Sequence, residues 1–99
     1  MDVAQRVRIL FTDRGQAMSE KELLKRISVN PQIFGGKPII RGRRLAVEHV
    51  LAMLAAGDSF ETVLEGYPWL EKEDIQACLA YACRLVSHER IALLVVGAP

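Results

Sequence analysis

The chain has 99 residues, 51% of them hydrophobic and 25% charged, with a formal net charge of +1. That composition excludes a disordered or low-complexity segment, and the length suits one domain that buries roughly 60–68% of its unfolded surface. The small total hides a segregation: Lys37, Arg41, Arg43 and Arg44 lie close together, whereas Gly57 to Gln76 hold Asp58, Glu61, Glu65, Glu71, Glu73 and Asp74 against Lys72 alone. A bipolar surface of this kind suits charged partners or self-association more than general adhesion to nucleic acid.

Residues 1–25 read as an N-terminal extension. Val3, Val7, Leu10 and Phe11 follow a helical stripe, although Val7 to Phe11 would also suit a strand. A start at Met18 would make the first 17 residues an extension. Ser19 with Glu22 three residues on resembles a capping box ahead of Leu23-Leu24.

Residues 26–88 read as the main domain. It opens with Ile27 to Val29, a glycine-rich turn at Gly35-Gly36, and Ile39-Ile40 after Pro38. Apolar runs flanking such a turn predict a small β-hairpin with a basic tip. Val47, Val50, Leu51 and Leu54 then predict an amphipathic helix that stops at Gly57. Asp58 or Ser59 caps a short helix with Phe60, Val63 and Leu64 on its apolar face, ended by Gly66 and Tyr67-Pro68. Tyr67 to Leu70 should pack the turn between helices, with Trp69 either inside that packing or a partner contact.

The third helix of this trio is the longest. Ile75, Cys78, Leu79, Ala82, Leu85 and Val86 form a stripe of over three turns, which predicts that Leu79→Asp abolishes folding. Glu71, Glu73 and Asp74 complement the positive end of its dipole. Residues 89–99 read as an apolar tail whose run through Ile91, Leu93 and Val95 would be covered by the domain or by a second subunit. The outline is mainly α: a three-helix helix-turn-helix bundle with a small N-terminal β-hairpin.

The chemistry-bearing residues point away from catalysis. His49 and His88 have no Cys or His at metal-ligand spacing, and Gly35-Gly36-Lys37 lacks the frame of a phosphate loop. Cys78 and Cys83 read as small core residues, five apart and turned away from each other. The reading is therefore not an enzyme, with no cofactor and no metal. No signal peptide and no long apolar run are present, which implies the cytoplasm and no membrane. The basic loop is the stronger functional signal: Lys37, Arg41, Arg43 and Arg44 are candidates for phosphate contact, and Gln76 for base readout. Solubilising the loop, or neutralising the chain's own acidic helices, is the competing role of those cations.

The sequence N-P-Q-I-F-G-G-K-P-I-I-R-G-R-R-L-A-V, followed by V-L-E-G-Y-P-W-L and E-D-I-Q-A-C-L-A-Y-A, resembles the bacterial domain of unknown function 433 family over about residues 26–86. The resemblance implies a homeodomain-like or winged-helix-like three-helix fold. It also implies an antitoxin that dimerises, binds its own operator DNA and occludes a PIN-like toxin. Arg43, Ala46 and Glu71 depart from the family's usual Thr, Pro and Ser or Thr cap. Two functions follow as expectations: a DNA-binding antitoxin and autorepressor acting as a homodimer, or a protein-interaction module that binds no DNA. Trp69, Ile91, Leu93 and Val95 are the candidate partner contacts.

Overall fold

The computed structural model describes residues 18–88. The helical stripe from Val3 to Phe11 and the partner contacts at Ile91, Leu93 and Val95 lie outside these residues. The described chain is mainly helical, with four α-helices and one two-stranded antiparallel sheet.

Helix α1 spans Glu20–Leu24. Ser19 Oγ accepts from the Glu22 N–H at 3.1 Å, while Glu22 Oε1 accepts from the Ser19 hydroxyl at 3.1 Å, so the Ser-Glu pair caps the helix as expected. Strand β1, Ile27–Ser28, pairs with β2, Ile39–Ile40, in the register Ile27 to Ile40 and Ser28 to Ile39. The excursion between them closes through a 3-10 turn at Phe34–Gly36 with positive φ throughout. The hairpin therefore stands where the sequence placed it.

Its tip is not the basic element, however. Arg41, Arg43 and Arg44 belong to a second reversal, after β2. Arg41 (φ 46°) and Gly42 (φ 70°) form its centre, and the Arg43 N–H donates to the Ile40 carbonyl at 2.8 Å. Two successive positive φ values favour a tight hairpin-type turn. The returning chain bridges Ala46 to Ile39 and leads into helix α2, Val47–Ala55.

At the start of α2 the Ala46 side chain offers no cap. His49 Nδ1 instead accepts from the Ala46 N–H at 3.2 Å. The helix ends at Gly57 (φ 102°), with Gly57 N–H to Leu54 O and Asp58 N–H to Met53 O, the paired bonds of a Schellman stop. Helix α3, Phe60–Gly66, is capped by Ser59, whose Oγ accepts from the Thr62 N–H at 3.1 Å. Tyr67 to Leu70 then turn the chain into α4, Lys72–His88.

Helix α4 is held on two sides. Ile75 and Cys78 enter a core with Ile40, Leu45, Val47, Val50, Val63 and Leu70, whereas Ala77 and Ala80 pack against Leu23 of α1. The expected stripe thus holds at Ile75 and Cys78 and fails at Leu79, Leu85 and Val86. Leu79, Leu85 and Val86 are 41%, 43% and 66% exposed, while Asp74, Ala77 and Ala80 are buried. Hydrophobicity favours leucine, but the close approach of α1 needs alanine at the contact. Cys83 likewise lies exposed rather than in the core. Burial pushes the Cys78 thiol up to about 12, which leaves it protonated and inert.

Ile75→Ala should lower unfolding stability by about 2–5 kcal/mol in denaturant titration, as large-to-small core changes do. Leu79→Asp, contrary to the expectation from periodicity, should keep a cooperative melt.

Candidate functional site: the basic turn and the open face of α4

Four charged side chains converge beneath the basic turn. The Asp74 carboxylate is wholly buried and accepts four hydrogen bonds. Arg41 approaches it in a bidentate fork, Nε to Oδ1 at 2.9 Å and Nη2 to Oδ2 at 2.7 Å. Arg26 Nη1 donates to Oδ1 at 3.0 Å and also to Glu71 Oε1 at 2.6 Å. The Glu71 N–H completes the set at 2.8 Å to Oδ2. Asp74 thereby supplies the backbone cap that Glu71 does not provide at the start of α4.

Burial alone would raise the Asp74 pKa. The hydrogen bonds from Arg41, Glu71 N–H and Arg26, with the Arg41 charge, outweigh it and hold the carboxyl below the ordinary range.

The expected site residues are distributed unevenly around this cluster. Arg41 is spent on Asp74 and on the Trp69 carbonyl, to which Nη2 donates at 3.1 Å. Lys37 Nζ lies 2.8 Å from Glu48 Oε1, both side chains over half exposed, a pair worth little in stability. Arg43 stacks on the Trp69 ring with Cζ 4.6 Å from the centroid, and Arg41 Cζ lies 5.6 Å from it. Trp69 is half-buried beneath these guanidinium groups and edge-on to Tyr67. Arg43 and Arg44 are exposed and have no ion-pair partner among the described residues.

Gln76 is half-buried, on the side of α4 that neither neighbour covers. Lys72, Leu79, Cys83 and Val86 share that open face, at spacings of three and four residues. Next to it, Pro38, Val47, Leu51, Tyr81, Ala82 and Leu85 line an apolar groove of about 260 Å³. Among the described residues no group of His, Cys, Asp and Glu is placed to hold a metal, and no helix is long and apolar enough to cross a membrane.

Arg26 and Asp74 were missed as site residues. The available signal was phase: Asp74 falls four residues before Cys78 and next to Ile75, on the buried face of the helix.

Asp74→Asn should lower stability at pH 7 by about 3 kcal/mol, the low end for breaking a buried ion pair, because Arg26 and Arg41 keep 21% and 33% side-chain exposure. The pH dependence follows from the depressed pKa. The stabilisation is full above the unfolded carboxyl pKa of about 3.9 and is lost as pH falls through the folded value. The stability gap between wild type and Asp74→Asn, measured by urea unfolding, should therefore narrow from pH 5 towards pH 3.

Comparison with known proteins bears on the same region. An uncharacterized protein of Sinorhizobium fredii (strain NBRC 101917 / NGR234), y4eO, is 43% identical over 56 residues, covering 57% of this chain and 25% of that protein. The chain thus matches only a quarter of the length of that relative. The crystal structure of a DUF433 member protein from Anabaena variabilis ATCC 29413 superposes with a TM-score of 0.59 at 21% identity, over 88% of this chain and 92% of the other. At that identity the likeness speaks for the fold alone. The model for the protein of unknown function family DUF433 matches residues 27–82, more than half of the chain, from the first strand through the buried half of α4, and the chain belongs to that family.

Proposed function

We propose that this chain is a protein-interaction module that works by pairing, as a homodimer in the first instance, and binds no DNA. The observation that carries the reading is the open face of α4, where Leu79 and Val86 are exposed at 41% and 66%. The element that a helix-turn-helix protein would lay in the major groove is here apolar along half its length. Of the four cations expected to contact phosphate, Arg41 is also already engaged, by the buried Asp74.

A second reading keeps the DNA-binding autorepressor with a PIN-like toxin. Its support is the exposed pair Arg43 and Arg44, together with Lys72 and Gln76 at the N-terminal end of the open face. Guanidinium groups on a turn, beside a helix that offers an amide, are a workable phosphate and base contact.

A salt titration of binding to the upstream region of the gene separates the two. Each phosphate contact contributes a slope of about −0.9 in log K against log salt. Under the pairing reading, wild type and the Arg43→Ala/Arg44→Ala variant bind equally weakly and with the same slope. A wild-type slope steeper by about 2 would transfer the function to the DNA-binding reading. Arg41 is left intact in this variant because its loss would unfold the turn rather than remove a phosphate contact.

A further inference from the structure

The core face of α4 is longer than the core that covers it. Ile75, Cys78, Ala82 and Leu85 recur at three, four and three residues, so they stand on one face of the helix. The first two are fully buried, whereas Leu85 at the far end is 43% exposed. There the face becomes a wall of the apolar groove, with Pro38, Val47 and Leu51 across from Tyr81 and Leu85. Val47 also belongs to the core cluster, so the groove opens directly onto the core. Glu48 at the groove keeps 58% side-chain exposure, so filling it need not bury a charge.

We propose that the run Ile91 to Val96 of the same chain, outside the described residues, folds back into this groove and closes the core at that end. The contact is separate from the pairing face, since Leu79 is not part of the groove wall.

Position, composition and connectivity select this occupant. Helix α4 is described as far as His88, two residues past Val86 in the groove wall. Four residues, His88 to Ile91, are enough to reverse the chain. The six residues from Ile91 to Val96 then extend for up to about 20 Å, against about 8 Å of helix axis between Tyr81 and Val86. Their side chains, I-A-L-L-V-V, are all apolar and carry no charge, as the groove requires. Residues 1–17 suit it less, because they include Asp2, Arg6, Arg8, Asp13 and Arg14. They also lead into α1, which lies on another face of α4, against Ala77 and Ala80, with Arg84 Nε 2.6 Å from Glu20 Oε1. A link this short gives the run an effective concentration on the order of millimolar at its own groove, which a second copy in dilute solution does not match.

Nuclear Overhauser contacts in the full chain supply the test. Wild type should show contacts from the Tyr81 ring and the Leu51 methyls to side chains of residues 91–96. In a mixture of labelled and unlabelled copies, none of these contacts should cross between copies. Leu85→Glu puts a carboxylate into the groove wall at a position outside the core cluster. It should abolish the contacts to residues 91–96 and keep those within the core around Ile75, which separates loss of docking from loss of fold. Leu93→Glu/Val95→Glu, made in the run itself, should do the same without touching the groove.

Wild type without these contacts, or with residues 91–96 against Leu79 and Cys83 instead, would overturn the proposal. Contacts that cross between copies would give the groove to the run of a second copy and overturn the same-chain assignment. Contacts that persist in both variants would overturn the apolar match as their cause.

Discussion

The structure depends on one buried carboxylate. Asp74 receives the turn after β2 through Arg41, the segment between α1 and β1 through Arg26, and the start of its own helix through the Glu71 N–H. An unpaired charge at that depth would cost several kcal/mol, so the three segments hold together or fail together. Arg41 also adopts a left-handed backbone at φ 46°, unfavourable for a residue with a Cβ. The bidentate contact to Asp74 and the bond from the Arg41 N–H to the Arg26 carbonyl at 2.8 Å offset that strain. A lysine at position 41 would keep the charge but lose the fork.

The same contact changes how the charge pattern of the sequence must be understood. A basic run from Lys37 to Arg44 and an acidic run ending at Asp74 look like opposite poles of a surface. In the folded chain several of these charges instead form one neutral cluster, in which Arg26 and Arg41 offset Glu71 and Asp74. The acids at the start of α4 therefore repel an approaching phosphate less than their number suggests. By the same pairing, the basic turn attracts it less.

Elements whose signals are local were legible. The Ser19 and Ser59 caps and the glycine stop at Gly57 rest on residues a few positions apart, and the hairpin between Ile27 and Ile40 on the glycine turn between its strands, where backbone chemistry leaves few options. The phase of α4 was not legible, because it is set by two neighbours at once. Alanines at 77 and 80 carry little hydrophobic signal, yet they are buried because Leu23 of α1 needs that close approach. Of the candidate site, the location of the cations was legible and their availability was not: a partner 33 residues away decides whether Arg41 faces water. Nothing in a periodicity count contains that distance.

The open face of α4 joins these two lessons, phase and availability. A surface helix normally gives its solvent side to charged residues, which costs nothing in hydration. Here the charges of α4 concentrate at its first turn and at Arg84, and the middle of the open face is Leu79 and Cys83. One helix face cannot serve both as a dry seam and as a reader of wet, anionic grooves, since the first demands removal of water and the second depends on hydrogen bonds through it. Any contact of the basic turn with nucleic acid falls to Arg43 and Arg44, since Arg41 is held by Asp74. Arg43 is there held by the Trp69 ring, not by a carboxylate, and so keeps its guanidinium donors for a third party.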